Sequence, residues 1–340
     1  MKYEYAVFIG RFQPVTLAHR AIIERALDIA ENVIIFVGSY KAPISLRNPF
    51  THLERATMIL SSIKGGYWGR VTTIPILDSN YAFNSWLREI KYKVDLYTEN
   101  SDSICLMSHT KDKTSYYLDH FPEWDNIYVE TLFDNLSATD IRNKLFEGDT
   151  SNIQVPEGVV KFIDYILLNN EERFKTLSQE YEFIKQYKKS WEVAPYPVTF
   201  VTTDSIVLCK GHILLIKRGR LPGKDKYALP GGFLDIAETI ENGCIRELLE
   251  ETNIAVPEQI LRKSVEKVKT IDNPIRDPRG RCITFAHLIR LELDYLPEIE
   301  AGDDACKAEW IPIYDLGGLR ESFFNDHLQI IYNFLDIGVN

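Results

Sequence analysis

Three glutamates in the C-terminal half of the chain have the spacing of a metal site. Glu247, Glu250 and Glu251 are at positions i, i+3 and i+4, so a helix places their carboxylates on one face. Like charges at this spacing repel one another, and Arg246 can pair with Glu250 without neutralising the whole group. A hard divalent cation such as Mg2+ or Mn2+ can do so, bridge diphosphate oxygens and activate a water molecule. The alternative is a solvated acidic helix face.

The residues around these glutamates follow a longer pattern. The run 232–254 (GFLDIAETIENGCIRELLEETNI) matches G-x5-E-x7-R-E-U-x-E-E-x-G-U, where U is a bulky aliphatic residue, at every position but one. It resembles the Nudix box, the signature of hydrolases that cut a nucleoside diphosphate linked to another group. Asn253 stands where the pattern has glycine, and we expect a left-handed backbone there. The resemblance implies catalytic roles for Glu250 and Glu251. It also implies four metal ligands: Glu247, Glu250, Glu251 and Gly231.

A second segment narrows the substrate of this site. Arg276, Arg279 and Arg281 lie in the run R-D-P-R-G-R, which resembles a loop of ADP-ribose pyrophosphatases and of related regulators. Guanidinium groups suit a diphosphate, and the glycine permits close approach. The resemblance therefore implies that these three arginines bind ADP-ribose. The base that activates water stays open among four carboxylates: Glu250, Glu251, Asp303 and Asp304.

A polar loop near the N-terminus is a candidate phosphate site. It follows the first apolar strand and opens a helix, which is where an open α/β sheet binds a phosphate-bearing ligand. Neither G-x-G-x-x-G nor G-x4-G-K-[ST] is present. The run 10–19 (GRFQPVTLAH) resembles the G-R-F-Q-P…(H/T)-x-G-H signature of the nucleotidyltransferase superfamily, with Thr16 and His19 at the phosphate-contacting positions. Ala18 replaces the usual glycine of that signature.

A second signature of the same superfamily lies farther along the chain. Residues 137–142 (SATDIR) resemble S-x-T-x-x-R, in which Ser137 can cap a helix and Arg142 can neutralise phosphate oxygens. Alone, this is an ordinary helix cap with a surface arginine; two signatures in the right order favour the functional interpretation. They imply catalytic roles for His19 and Arg142. They also imply an ATP site made of Gly10, Arg11, Phe12, Gln13, Thr16, His19, Ser137, Thr139 and Arg142.

Further pieces indicate the nucleotide that is adenylylated. The run 47–51 (RNPFT), followed by Glu54 and Arg55, and the segment 84–86 (NSW) resemble nicotinamide mononucleotide (NMN) adenylyltransferases of the archaeal type. The indole of Trp86 could stack on a cationic pyridinium ring, although a core aromatic is the alternative. The resemblance implies three NMN-binding residues: Asn48, Asn84 and Trp86.

The two halves together suggest one metabolic role. The whole chain resembles bacterial bifunctional NMN adenylyltransferase/ADP-ribose pyrophosphatases, which implies synthesis of NAD from ATP and NMN, and hydrolysis of ADP-ribose to AMP and ribose 5-phosphate. The implied cofactor is Mg2+ or Mn2+. Two alternatives stay open: a C-terminal domain that senses a ligand without catalysis, and two enzymes that act on other nucleotides. Intact box glutamates and an acidic chain argue against the sensor.

These sites must be positioned by two kinds of domain. Strand patterns at 5–9, 33–37, 71–76, 103–107 and 128–131 alternate with helical patterns at 17–30, 51–61, 84–91, 115–120, 138–147 and 157–169. This alternation predicts an α/β doubly wound parallel sheet, a Rossmann-like nucleotidyltransferase domain, over residues 1–168. A helical connector is expected over 169–197. Strand-like runs at 199–203, 205–209, 212–217, 283–291 and 308–312, with a final helix at 326–335, predict an α+β Nudix domain over 198–340.

Bulk properties limit the partners. The chain has 340 residues, which is long for one hydrophobic core, and a net charge of −10, which argues against a general nucleic-acid binder. No apolar run is long enough for a membrane span, and no signal peptide is recognised. Five scattered cysteines predict reduced thiols in a cytoplasmic protein. The expected partners are small nucleotides, and a homo-oligomer remains possible.

Overall fold

The structure is a computed structural model that describes residues 2–78, 81–108, 118–130, 137–302 and 305–337. The chain divides into two compact units, Met1–Gln179 and Glu180–Asn340. Within the described residues, no disulfide joins the cysteines. No helix among the same residues has both the length and the apolarity needed to cross a lipid bilayer.

The first unit alternates strands and helices. Its elements are β1 (Tyr3–Gly10), α1 (Leu17–Ile29), β2 (Ala30–Val37), α2 (His52–Ser61), a 3-10 helix (Gly65–Arg70), β3 (Val71–Pro75), α3 (Phe83–Thr98), β4 (Ile104–Ser108), β5 (Asp125–Tyr128), α4 (Ala138–Phe146) and α5 (Glu157–Asn169). The next helix, α6 (Glu171–Ser190), contains the boundary between the units.

A parallel sheet forms the centre of the first unit. The described strands lie in the order β3-β2-β1-β4-β5, and every neighbouring pair is parallel. Strands β1 and β2 are nearly continuous apolar runs, as expected of strands that are covered on both faces. One core cluster includes Val7, Phe36, Ile90 and Leu106, all almost fully buried. The predicted doubly wound class is confirmed.

The second unit is built on a mixed sheet. Its elements are β6 (Thr199–Cys209), β7 (His212–Arg218), β8 (Tyr227–Ala228), β9 (Gly231–Phe233), α7 (Ile240–Thr252), α8 (Glu258–Lys263), β10 (Val265–Ile271), β11 (Arg281–Leu291), β12 (Ala305–Pro312), a 3-10 helix (Ile313–Ser322) and α9 (His327–Leu335). The order is β10-β11-β6-β7-β12, with β8 paired to β7 and β9 paired to β6. Helix α7 packs its apolar face, which includes Ile245 and Leu248, into the core.

Several element boundaries differ from the sequence patterns. The two runs predicted at 199–203 and 205–209 form the single strand β6, because Asp204 continues the strand in spite of its charge. Helix α3 extends to Thr98 instead of residue 91, since Val94 and Thr98 add two more buried turns. Strand β5 begins three residues earlier than predicted and ends at Tyr128. Half of the helix predicted at 115–120 lies outside the described residues, and residues 118–120 form a 3-10 turn.

Candidate active sites

The loop after β1 holds a histidine in one orientation. Phe12 has a left-handed backbone (φ 55°), and its buried ring lies 4.9 Å from the ring of His19, centroid to centroid. A Cβ atom at Gly10 would lie 2.9 Å from the Phe12 ring, so only glycine leaves room for it. The aromatic side chain of Phe12 therefore supports His19 from within the protein, and its contact with a nucleotide would have to come from the backbone.

The start of α1 determines which nitrogen of His19 can face a ligand. Thr16 caps the helix, and its hydroxyl accepts a hydrogen bond from the His19 backbone N–H at 3.3 Å. In return, His19 Nδ1 accepts from the Thr16 backbone N–H at 3.0 Å. Because a backbone N–H can only donate, Nδ1 carries no proton, and the proton of the neutral ring is on Nε2. His19 therefore has a donor suited to a phosphate oxygen.

Two other predicted ATP-binding residues bind the loop together. The Gln13 side chain, which is 3% exposed, donates to the Phe50 carbonyl at 2.9 Å and accepts from the Phe50 N–H at 3.1 Å. Arg142 donates to the carbonyls of Leu46 (3.0 Å) and Gln13 (2.7 Å) and to the Thr139 hydroxyl (3.0 Å). The side chain of Gln13 is therefore used by the protein itself, whereas Arg142 links α4 to the loop.

Arginines are concentrated around this loop. Burial lowers the pKa of Arg142 to about 10, and the positive charges of Arg11 and Arg47 act in the same direction. Burial and Arg11 likewise lower the pKa of Arg47 to about 10. Cations that disfavour one another at close range create a site for an anion. Arg47 was not among the residues assigned from the sequence, although the run 47–51 contains it.

A fourth arginine organises the loops without facing a ligand. Arg55 is 1% exposed and donates to the carbonyls of Arg11, Gly38 and Ser39. The Ser39 hydroxyl in turn donates to Asp78 at 2.6 Å. These contacts join the ends of β1 and β2, so the carboxyl edge of the sheet is fixed before any nucleotide binds.

The three predicted NMN-binding residues have different environments. Asn48 Oδ1 is buried and has no hydrogen-bond partner in the part of the chain that the structure describes. Such an acceptor is costly unless a ligand or water satisfies it. Asn84 is exposed at the start of α3. Trp86 is partly buried against the core cluster and stacked on Phe83 with a centroid distance of 5.9 Å. Part of the indole surface is therefore used in core packing.

The predicted ATP-binding residue Ser137 acts as the cap of α4. Its side chain accepts a hydrogen bond from the Asp140 N–H at 3.3 Å.

In the second unit, Arg246 holds the acidic face of α7 together. It donates to Glu238 twice (3.0 and 2.7 Å), to Glu247 (3.0 Å) and to Glu250 (2.8 Å). Its guanidinium also donates to the Phe233 carbonyl at 3.2 Å. The pairing of Arg246 with Glu250 is confirmed. Glu250 remains 57% exposed, whereas the Glu247 side chain is 15% exposed, so the two carboxylates have different surroundings.

Glu251 is the buried member of the predicted metal set. It is 8% exposed and accepts a hydrogen bond from the Gly231 N–H at 2.8 Å. Burial raises the pKa of Glu251 to about 8, and the nearby charge of Glu247 acts in the same direction. Burial also raises the pKa of Glu247. Two neighbouring carboxylates whose pKa values are both raised by burial favour the binding of a cation that offsets their charge.

Two glycines permit this arrangement. A Cβ atom at Gly232 would lie 2.5 Å from Glu247 Oε1, and one at Gly231, whose φ is 156°, would lie 2.1 Å from the Thr203 carbonyl oxygen. At the other end of α7, Asn253 has φ 40° and ψ 37°, which confirms the expected left-handed backbone. Its side-chain amide also donates to the Glu300 carbonyl at 3.2 Å, a bond that glycine could not make.

A cavity of about 310 Å³ adjoins the glutamates. Glu247 and Glu251 line it, and so do Arg276 and Arg279. The lining also includes Asp277 of the R-D-P-R-G-R run, and four residues that the sequence patterns did not suggest: Asp204, Arg218, Asn325 and His327. No short motif contains these four residues. They come from separate strands, loops and the start of α9, so only the folded chain brings them to one cavity.

The three predicted ADP-ribose arginines are not equivalent. Arg276 is 9% exposed and forms two hydrogen bonds of 3.1 Å with Asp326. Arg279 pairs with Asp277 at 2.7 Å, and its guanidinium lies 4.9 Å from the ring centroid of Phe233. Arg281 donates to the Asp272 carbonyl and is not among the residues that line the cavity. Arg276 and Arg279 are thus placed where a ligand could reach them, but each already has a carboxylate partner.

The donor set can be tested against the chemistry of Mg2+ or Mn2+. Among the described residues, no group of three or more His, Cys, Asp or Glu side chains is arranged as a complete metal centre. Mg2+ does not need one, because it keeps several waters and is held by one or two carboxylates together with substrate phosphates. Glu247 and Glu251 supply such a pair at the wall of the cavity. Asp303 and Asp304 lie outside the described residues.

Comparisons with known proteins address the two units and the whole chain. A family model for the NUDIX domain matches residues 199–334, and one described as cytidylyltransferase-like matches residues 7–144. A nicotinamide/nicotinic acid mononucleotide adenylyltransferase of Acinetobacter baylyi is 36% identical, over 53% of this chain and 94% of its own length. An ADP-ribose pyrophosphatase of Methanocaldococcus jannaschii is 38% identical, over 40% of this chain and 72% of its own length.

One solved structure extends over both units. It is a bifunctional NMN adenylyltransferase/ADP ribose pyrophosphatase of Francisella tularensis in complex with AMP and a manganese ion. It is 34% identical to this chain, covers 98% of it and 99% of its own length, and superposes with a TM-score of 0.91. The chain belongs to the family of bifunctional NMN adenylyltransferase/ADP-ribose pyrophosphatases. The arginine-rich loop of the first unit and the cavity of the second unit are in accord with membership in this family.

Proposed function

We propose that the protein catalyses two reactions of NAD metabolism. The first unit transfers the adenylyl group of ATP to NMN and releases pyrophosphate. The second unit hydrolyses ADP-ribose to AMP and ribose 5-phosphate with a divalent cation. The observation that supports the first reaction best is the cluster of Arg11, Arg47 and Arg142 around the loop that leads to His19. The second is supported best by Glu247 and Glu251 at the wall of the arginine-lined cavity.

In the adenylyl transfer, a 5′-phosphate oxygen of NMN attacks the α-phosphorus of ATP. A new P–O bond forms while the bond to the β-phosphate bridging oxygen breaks, and pyrophosphate leaves with the electron pair. No covalent bond to the protein is required. His19 Nε2–H would donate to a phosphate oxygen, while Arg11, Arg47 and Arg142 offset the negative charge that two nucleotides bring together. The unsatisfied Asn48 Oδ1 would accept a hydrogen bond from the mononucleotide.

In the hydrolysis, water attacks a phosphorus of the diphosphate and the phosphoanhydride bond breaks. A divalent cation, when bound, would lower the pKa of the attacking water and offset charge on the diphosphate. Glu247 and Glu251 would hold it, with the Gly231 N–H fixing the Glu251 carboxylate. Arg279 would contact the diphosphate or ribose. Mg2+ and Mn2+ both suit these oxygen ligands, and we propose Mg2+ as the usual ion because it also accompanies ATP.

The two activities can be separated by two variants. His19→Ala removes the Nε2–H donor, and we expect NAD synthesis to fall at least about 100-fold while ADP-ribose hydrolysis is kept. Glu251→Gln removes a metal ligand, so we expect ADP-ribose hydrolysis to fall while NAD synthesis is kept. Chromatography of the products formed from ATP plus NMN, and separately from ADP-ribose, measures both reactions with Mg2+ or Mn2+. Wild-type protein that forms neither NAD nor AMP would refute the proposal, as would variants that lose both activities together.

A further inference from the structure

One buried histidine lines the cavity of the second unit but plays no part in the reaction described above. His327 is the first residue of α9, and it is 7% exposed. Its Nδ1 accepts a hydrogen bond from the Leu229 backbone N–H at 3.0 Å. A backbone N–H can only donate, so Nδ1 is unprotonated and the ring proton is on Nε2. Leu229 lies two residues before Gly231, so this bond also ties α9 to the segment that leads into the metal site.

The charge of the imidazole is fixed by its surroundings. Burial lowers the pKa of His327 to about 3, and the positive charges of Arg276 and Arg218 act in the same direction against the opposing charge of Asp326. At neutral pH the ring is therefore an uncharged group with one N–H donor. Its tautomer follows from the Leu229 contact alone and does not depend on the pKa.

The remaining N–H has no acceptor among the residues that the structure describes. In the described part of the chain, no hydrogen bond is made by His327 Nε2. The Phe324 ring lies 5.7 Å from the imidazole centroid, and the carboxylate of Asp326 pairs with Arg276. Because His327 lines the cavity, a ligand oxygen or a water molecule there can supply the acceptor.

We propose that His327 is a substrate-binding residue, whose Nε2–H donates a hydrogen bond to an oxygen of the bound nucleoside diphosphate sugar. This inference rests on the proposed hydrolysis and adds a residue to it. Arg218 and Arg276 lie close enough to act on the imidazole electrostatically, so a phosphate oxygen would be attracted to the same corner. A ribose oxygen offers the same acceptor chemistry, and the two halves of the substrate can be distinguished by experiment.

Two substitutions separate the ligand contact from the structural contact. In His327→Asn, the side-chain oxygen takes the place of Nδ1 and can accept from Leu229, while the Nε2 donor is lost. In His327→Gln, the amide nitrogen reaches the place of Nε2 and restores the donor, while the acceptor for Leu229 is lost. The two variants form a matched pair, because each keeps one of the two hydrogen bonds of the imidazole.

The measurements are steady-state hydrolysis of ADP-ribose and thermal unfolding. We expect His327→Asn to raise the KM for ADP-ribose about 5- to 10-fold, with kcat changed less and an unfolding temperature near that of the wild type. We expect His327→Gln to keep the KM within about 2-fold but to unfold at a lower temperature. Competitive inhibition by AMP and by ribose 5-phosphate identifies the half of the substrate that His327 contacts. His327→Asn should weaken inhibition only by the product that contains that half.

The outcomes can be told apart. A wild-type KM in His327→Asn would overturn the inference, even if the apparent kcat falls because less of the protein is folded. If the wild type does not hydrolyse ADP-ribose, the proposed function itself fails. If His327→Asn does not fold, the contact can be tested in the wild type by NMR. The 15N resonance of Nε2 should shift when AMP is added without metal. A resonance that moves with neither AMP nor ribose 5-phosphate would refute the contact.

Discussion

Glu251 provides the sharpest test of the electrostatic reasoning. It is 8% exposed, and burial raises its pKa to about 8, with the charge of Glu247 contributing. The pKa of a glutamate in an unfolded chain is near 4.3, so between about pH 4.3 and 8 the folded metal-free protein binds a proton that the unfolded chain has released. Stability is therefore highest below the unfolded pKa. It falls as the pH rises towards 8.

The size of this effect can be bounded. Each pH unit between the two pKa values is worth about 1.4 kcal/mol, which gives a ceiling of about 5 kcal/mol at pH 8. Structural relaxation and water entry reduce the measured value, and we expect about 2 kcal/mol. The Glu251→Gln variant removes the penalty because an amide does not ionise. Its oxygen can still accept from the Gly231 N–H. For a unit of this size, about 2 kcal/mol corresponds to an unfolding temperature about 4–8 °C higher.

The assay is thermal unfolding in a chelator at pH 5 and pH 8. Glu251→Gln should unfold at a higher temperature than the wild type at pH 8, and the difference should shrink at pH 5. Glu250→Gln is the matched control on the same helix face, because its carboxylate is 57% exposed and its loss should change the unfolding temperature little at either pH. Adding Mn2+ should stabilise the wild type more than Glu251→Gln. Equal unfolding temperatures of wild type and Glu251→Gln in chelator at pH 8 would refute the reasoning.

Two further substitutions test the framework around each site. Gly232→Ala places a methyl group 2.5 Å from Glu247 Oε1, so we expect the carboxylate to move. The kcat/KM for ADP-ribose should then fall about 10- to 100-fold, while NAD synthesis is unchanged. A titration of activity with Mn2+ should show weaker metal binding. Arg55→Ala leaves the carbonyls of Arg11, Gly38 and Ser39 without their donor, and we expect the first unit to lose about 3–5 kcal/mol. Hydrogen exchange of β1 and β2 measures that loss, and protection equal to the wild type would contradict the role given to Arg55.

Local sequence patterns were sufficient for most elements but not for their ends. The apolar runs of β1 and β2 predict buried parallel strands because strands covered on both faces have few polar positions. Asp204 interrupts such a pattern and suggests a break. In the structure β6 is continuous through Asp204, because the Thr284 hydroxyl of β11 donates to its carboxylate at 2.6 Å. Thr284 is distant in sequence, so no local rule could anticipate that this charge lies inside a strand.

The chemistry that each half could perform follows from residue types and their spacing along the chain. The spacing of Glu247, Glu250 and Glu251 specifies one helix face, and a left-handed Asn253 follows from the tolerance of that residue for positive φ. These are properties of neighbouring residues, which a single helix already fixes.

The packing of the folded chain selects the side chains that are available to a ligand. It buried Glu251 and left Glu250 exposed, although both lie on the same face. It used the Gln13 side chain to hold the Phe50 backbone, and it paired Arg276 with Asp326. It also brought His327 to the cavity beside residues from the other end of the unit. Burial and pairing depend on contacts between segments that are far apart in the chain, and those contacts exist only after the chain has folded.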